Sequence, residues 1–373
     1  MKTPRDWVTR PLSQFVSLQR GFDLPTHARV PGSVPVLSSG GVNGSHNEAK
    51  VDGDNFVIGR ATNIGRPTWS SVPFWPLNTT LFVKDFLGNF PKFCFYWFLA
   101  TDLSGFDSGS VQPMLNRNYI ANIPVAIPSF VEQRRIAGVL GALDDKIESN
   151  KNLAEVIPSL IDAQIHHELS DGSGDSIPVS KLAKFVNGGA YTKEASGTGR
   201  MVIRIADLNT GPGASTIYND IDVPSDRLAH FGDLLMSWSG SLGVYVWVRE
   251  EAIVNQHIFK VIFTDFPAWL VHNRLNVALH SFRAIAADKA TTMGHIQRKH
   301  LDETFVEVPI AKLEQLNHLC IPLWNRFISA QLESMRLAEL RDALLPELMS
   351  GRMRVDKAGC LVSEALDEEV ADV

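Results

Sequence analysis

The residues best suited to recognition chemistry lie in short loops punctuated by glycine. Two such loops fall in the first third of the chain: Leu37-Ser38-Ser39-Gly40-Gly41-Val42-Asn43-Gly44-Ser45-His46 and Ile58-Gly59-Arg60-Ala61-Thr62-Asn63-Ile64-Gly65-Arg66. Three more follow in the second half: Arg204-Ile205-Ala206-Asp207-Leu208-Asn209, Ser237-Trp238-Ser239-Gly240-Ser241 and Asn255-Gln256-His257. Arg, Asn, Gln and Ser on loops can address base edges and grip phosphates. Glycine between them lets a backbone approach a phosphate closely. The same residue types also build ordinary turns, so composition leaves both uses open.

Bond-making chemistry has no recognisable motif here. The chain lacks a Gly-x-x-x-x-Gly-Lys-Ser/Thr loop, which argues against P-loop nucleotide hydrolysis. His166-His167-Glu168 does not have His-Glu-x-x-His zinc spacing and reads as solvated helix surface. Gly240-Ser241-Leu242-Gly243 lacks the Gly-x-Ser-x-Gly spacing of a nucleophile elbow. No Asn-Pro-Pro-aromatic motif marks an amino-methyltransferase. Cys94, Cys320 and Cys360 are far apart, odd in number and bordered by apolar residues. They fit neither a disulfide framework nor a zinc site, and a reducing cytoplasm is the expected compartment. No apolar run approaches the ~18 residues of a membrane span, and the N-terminus shows no secretion signal.

Charge gives only weak support for nucleic acid. The net charge is −6, but it is unevenly spread. Residues 1–128 carry +3, 129–170 −3, 171–310 −2, 311–355 +1 and 356–373 −5. There is no basic stripe of the usual DNA-binding kind.

The elements that must position these loops occur twice. Asn116-Arg117-Asn118-Tyr119-Ile120 has a counterpart in Gln297-Arg298-Lys299-His300-Leu301. Pro128-Ser129-Phe130-Val131-Glu132-Gln133-Arg134-Arg135-Ile136 has one in Pro309-Ile310-Ala311-Lys312-Leu313-Glu314-Gln315. The offset is 181 at the arginines and 182 at the glutamates, so a whole unit has been duplicated. Before each copy run short strand-type segments broken by Gly, Pro, Ser and Asn, with Phe93–Leu103 as a helix candidate. After each copy the apolar period changes to three or four. Ile136, Leu140, Leu143, Ile147, Ile157, Ile161 and Ile165 mark the first stripe; Leu316, Cys320, Leu323, Phe327, Leu344, Leu345 and Leu348 mark the second. The first helix, 132–170, would be about 58 Å long at ~1.5 Å per residue. Asn150 and Gln164 fall on its stripe, where polar residues can fix register, and Pro158 should kink it. Gly351 is the expected stop of the second. Neither stripe belongs to the core of its own domain in any obvious way. Two ordinary core helices would give the same pattern, and the duplication raises the alternative, which is the expectation taken: the helices pair antiparallel as a coiled coil that holds two similar domains apart.

These residues resemble the specificity (S) subunit of type I restriction-modification systems. Pro128 to Ile147, reading Pro-x-x-x-Glu-Gln-Arg-Arg-Ile-Ala-x-x-Leu-x-x-Leu-Asp-Asp-Lys-Ile, is similar to the family's central helix. Leu344-Leu345-Pro346-Glu347-Leu348-Met349-Ser350-Gly351-Arg352 is similar to the end of its C-terminal helix. Gln19 to Pro25, Pro73-Phe74-Trp75-Pro76, Val202 to Asn209, Gly232 to Ser241, Val254 to Lys260 and Thr291 to Arg298 resemble stretches of its target-recognition domains. The likeness covers about 12–355, and the second copy departs from it by lacking the basic pair found at Arg134 and Arg135.

The resemblance implies an α/β (α+β) protein with two strand-rich target-recognition domains and two long antiparallel helices, pseudo-two-fold symmetric. The expected boundaries are 1–128 and 171–310 for the domains, 129–170 and 311–355 for the helices, and a disordered acidic tail at 356–373. Each domain would read one half of a bipartite DNA site. The helices would set the spacer and dock two modification (methyltransferase) subunits, which restriction (translocase/nuclease) subunits then join. The chain itself would supply no chemistry and hold no cofactor or metal; S-adenosylmethionine, ATP and Mg belong to the partners. A stand-alone coiled-coil DNA-binding regulator without a methyltransferase is the competing class.

Candidate DNA-contacting residues are Arg20, Ser38, Ser39, Asn43, Arg60 and Arg117 in the first domain. In the second they are Arg204, Asp207, Asn209, Ser239, Asn255, His257, His295, Gln297 and Arg298, while Trp75 and Trp238 are set aside as candidate core residues. Candidate docking residues are Glu132, Gln133, Arg134, Arg135 and Ile136, with Glu314 and Gln315 in the second copy.

Overall fold

The computed structural model describes residues 6–106, 114–288 and 294–367. The 291–293 part of one recognition stretch and the last six residues of the acidic tail lie outside them. The described residues form eight α-helices: α1 (Pro91–Ala100), α2 (Arg117–Ile120), α3 (Phe130–Glu168), α4 (Ile205–Thr210), α5 (Ala268–Asp288), α6 (Arg298–Glu303), α7 (Leu313–Met349) and α8 (Val355–Asp367). The chain divides into two compact units, Met1–Ile147 with Arg336–Val373, and Glu148–Met335.

The first unit is built on a four-stranded antiparallel sheet in the order Ser17–Arg20, Thr80–Asp85, Asn55–Gly59, Pro67–Ser70. Gly41–His46, Val34–Ser38 and Trp75–Pro76 form a second sheet, and Val8–Pro11 pairs with Pro124–Ile127. Helix α1 begins at Pro91, whose missing N–H costs nothing in the first turn. It buries Phe93, Cys94, Tyr96 and Phe98 in a core with Phe56, Ile58 and Leu81. It ends at Ala100, three residues before the expected Leu103.

The second unit repeats the plan. Its main sheet runs Ala183–Asn187, Ile258–Phe263, Leu234–Ser237, Gly243–Val246. A second sheet joins Ile217–Asn219, Arg200–Ile203, Ala252–Val254 and Leu228–Ala229, and Asp175–Pro178 pairs with Phe305–Val308. In both units the second sheet contains one parallel pair, Val36 with Trp75 and Val202 with Ile253. Helix α5 buries Trp269, Leu270, Leu275 and Phe282. The extra residue in the second copy of the duplication falls in a 3-10 turn, Ile310–Lys312, inserted before α7.

The long helices correct one expectation. Their stripes are part of the domain cores. In the first unit, Ile136, Leu140, Leu143 and Ile147 of α3 pack in one cluster with Leu337, Leu344, Leu345 and Leu348 of α7 and with the α1 residues. In the second unit, Ile157, Ile161 and Ile165 of α3 share a core with Leu316, Cys320, Trp324 and Phe327 of α7. The start of α3 thus meets the end of α7 and the reverse, which is an antiparallel pairing. Asn150 is fully buried on this stripe, whereas Gln164 is only partly covered. Helix α3 continues through Pro158. Helix α7 stops at Met349, with Gly351 at φ 69° in the left-handed region that closes a helix.

A second correction concerns the acidic tail. Residues Val355–Asp367 form α8 instead of a disordered segment. Val355, Ala358 and Val362 recur at helical spacing and are buried in the first unit's core, so the acidic side chains occupy the opposite face.

Candidate nucleic-acid interface

At one end of its main sheet each unit follows the same backbone path. The Gly21 N–H donates to the Thr80 carbonyl (3.0 Å), and Gly188 donates to Ile258 (3.0 Å). Phe22 then donates to Pro76 (2.8 Å), and Gly189 to Val254 (3.1 Å). Both glycines are required by close approach. A Cβ on Gly21 would lie 2.2 Å from the Leu77 carbonyl oxygen, and one on Gly188 would lie 2.1 Å from that of Asn255. One strand over, Arg60 N–H bonds the Thr79 carbonyl (2.9 Å) and Trp238 N–H that of His257 (3.1 Å). The carbonyls of Arg60 and Trp238 accept from Leu115 (2.8 Å) and Ile296 (3.0 Å), the residues leading into α2 and α6. Arg117 and Arg298 open those two short helices.

In the first unit this geometry assembles three predicted residues. Arg20, Arg60 and Arg117 line a cleft of about 870 Å³, together with Asp23, Lys84 and Asn118. Arg20 Nε and Arg60 Nη1 both donate to the Asn78 carbonyl, at 3.4 and 3.1 Å. Arg60 Nε also reaches the Leu115 carbonyl (3.2 Å), and Arg117 reaches that of Leu18 (3.1 Å). Burial, and then the neighbouring charge of Arg20, lower the proton affinity of the Arg60 guanidinium, although an arginine stays charged at neutral pH. Asp23 is held by the Asn78 side-chain amide. Among the described residues none of the three arginines forms an ion pair, so the cleft keeps positive charge that an anion can satisfy.

The other first-domain candidates divide. Asn43 is exposed on its strand, while Ser38 Oγ closes its own turn on Gly41 (3.0 Å). Ser39 is buried, and its hydroxyl donates to the Thr79 carbonyl. It is a structural group.

In the second unit Arg204 and Asp207 pair with each other through a forked contact (2.8 and 3.1 Å), and Asp207 also accepts from Thr216 (2.9 Å). Burial opposes ionisation of Asp207, yet these hydrogen bonds hold its carboxyl below the usual range. Asp207 is buried and locks the start of α4. Asn255 is buried as well, with its Oδ1 on the Gln256 N–H (2.9 Å). Asn209 is exposed and accepts the Tyr245 hydroxyl (2.7 Å). Ser239 and His295 form an isolated bridge beside Trp238, whose ring lies 5.2 Å from that of His257. Gln297 caps α6, and Arg298 lines a cleft of about 400 Å³ with Lys181, Lys184, Asp265 and Asp302. Sequence reasoning missed Lys84, Lys181 and Lys184; their only local signal is a charge at a strand or its approach.

The docking candidates also separate by burial. Gln133 is 2% exposed; its amide accepts from Phe90 N–H (2.8 Å) and donates to Asn89 (2.9 Å) and the Pro128 carbonyl (3.1 Å). Ile136 is buried in the core. Glu132 is half-buried and accepts from the Trp7 indole (3.3 Å). Arg134 is exposed, and Arg135 pairs with Asp356 of α8. Glu314 and Gln315 are both exposed.

Two units whose main sheets share one strand order, and whose chains follow the same backbone path at one sheet end, define a duplicated scaffold. Residues 4–159 match the family described as type I restriction modification DNA specificity domain. The type I restriction enzyme MjaIX specificity subunit of Methanocaldococcus jannaschii is 22% identical over 326 residues, covering 76% of this chain and 74% of that protein. The crystal structure of a type I restriction-modification system S subunit from M. genitalium shares the fold, with a TM-score of 0.60 and 14% identity over 93% of this chain and 98% of that one. These matches show a type I restriction modification DNA specificity domain within residues 4–159 and a likeness, over most of the chain, to a specificity subunit of type I restriction-modification systems. Among the described residues no cluster of three or more His, Cys, Asp or Glu could hold a metal ion. No helix among them is long and apolar enough to cross a membrane.

Proposed function

We propose that the chain is a type I restriction-modification specificity subunit, that each of its units reads one half of a bipartite, asymmetric DNA site, and that α3 and α7 set the unspecific spacer between the halves. The observation that carries this reading is the matched backbone path with unmatched side chains. Equal scaffolds present Arg20, Arg60 and Arg117 in one unit and Ser239, His257 and Arg298 in the other. Like domains bearing unlike readers suit a site whose halves differ. Half-sites one helical turn apart are separated by ~34 Å, within the about 58 Å span of a 39-residue helix at ~1.5 Å per residue.

The exposed Arg134, Arg135, Glu314 and Gln315 at the helix starts are the docking points for two adenine-methyltransferase subunits. S-adenosylmethionine, ATP and Mg then act in the partner subunits, and restriction subunits join that assembly. Near-neutral recognition units fit a complex in which methyltransferases add phosphate contacts, the main source of affinity.

The test is co-purification with a methyltransferase, followed by single-molecule sequencing of methylated adenines with and without this gene. A bipartite motif that vanishes with the gene supports the reading. A chain that purifies alone, with genomic methylation unchanged by its loss, would instead be a stand-alone DNA-binding regulator.

A further inference from the structure

The shared backbone path makes Arg20 the counterpart of Asn187, each immediately before the close-packed glycine, and Arg60 the counterpart of Trp238. The side chains at these two positions converge in both units. In the first, both guanidinium groups bond the same Asn78 carbonyl. In the second, the Trp238 indole N–H donates directly to Asn187 Oδ1 at 2.9 Å, and the ring rests against His257 and Phe259. Trp238 is only partly covered and Asn187 is exposed. The geometry is therefore retained while the chemistry changes from two cations to a neutral amide and an aromatic edge.

We propose that these two positions form one paired reading site in each unit, so that Asn187 and Trp238 contact the second half-site as Arg20 and Arg60 contact the first. The inference rests on the functional reading above and goes further by assigning unequal roles. The arginine pair holds its half-site largely by charge, because each phosphate neutralised releases counterions. The Asn187–Trp238 pair holds its half-site through hydrogen bonds and apolar contact at base edges, which release no counterions.

The full-length chain, assembled with its methyltransferase subunits, is titrated against a duplex carrying the mapped site between roughly 50 and 200 mM salt. Replacing both Arg20→Gln and Arg60→Gln should flatten the plot of log affinity against log salt by about 2 units. Replacing Asn187→Ala and Trp238→Phe should leave that slope unchanged and reduce preference for the second half-site at least about fivefold. Phenylalanine keeps a ring against His257 and Phe259 and removes the donor; thermal melting of each complex verifies folding. An unchanged slope in the arginine variant, or an unaltered second half-site preference in the other, overturns the pairing and leaves the functional reading standing. A wild-type complex with no preference for the mapped site overturns both.

Discussion

Arg341 of α7 reaches Asp144 of α3 at 2.9 Å, and both side chains are 23% exposed. The second Asp144 oxygen accepts the Tyr96 hydroxyl of α1 at 2.6 Å. One carboxylate therefore ties both long helices to the first recognition unit. Partial exposure weakens such a pair relative to a fully buried one, and Arg341 keeps Asp342 as a second partner at 2.7 Å. Asp144→Asn should cost about 0.5–1.5 kcal/mol, read as a lower urea midpoint; an unmoved midpoint would show that the tie is energetically idle.

Gln133 and Arg134 are adjacent, but Gln133 is buried and Arg134 is exposed. Gln133→Ala leaves the Phe90 N–H and the Asn89 amide without their partner and should destabilise by about 2 kcal/mol. Arg134→Ala removes an exposed side chain and should stay within about 0.5 kcal/mol of wild type, while weakening methyltransferase recovery in a pull-down. Equal effects of the two variants on stability would contradict this division.

His272 of α5 lies against Trp324 and Phe327 of α7, with ring centroids 5.1 and 5.6 Å away. Burial depresses its proton affinity from the ordinary 6.5 to about 4. A group held neutral in the fold contributes fully above the unfolded value and loses that contribution as pH falls from about 6.5 towards about 4. Between pH ~7.5 and ~5.5 this amounts to roughly 1 kcal/mol. Chemical denaturation at both pH values should show the loss in wild type and a smaller one in His272→Phe.

Arg117 and Arg298 open equivalent short helices beside the two clefts. Arg117→Ala should relax methylation in one half of the motif and Arg298→Ala in the other, each by ~1–3 kcal/mol of discrimination. Sequencing of methylated adenines would reveal either change. Relaxation of the same half by both would contradict the assignment of one unit to each half-site.

The duplication, the two long helices, their antiparallel pairing and the likeness to specificity subunits were all legible in the residues. Repeats and apolar periods are local patterns, and Glu132-Gln133-Arg134-Arg135-Ile136 at the head of such a period is a distinctive one. The folded α8 was hidden because acidic charge masked the spacing of Val355, Ala358 and Val362.

Which polar residue faces outward could only be decided in three dimensions. Ser39, Gln133 and Asn255 look like surface readers in one dimension, yet a buried polar group requires a partner, and most of theirs are distant in the chain: Thr79 for Ser39, Asn89 and Phe90 for Gln133. Trp238 is the converse case: apolar by type, it stays only partly covered at the strand end it shares, in fold, with Arg60. Local sequence sets an element's period; non-local hydrogen bonds and packing decide which of its side chains remain available to a ligand.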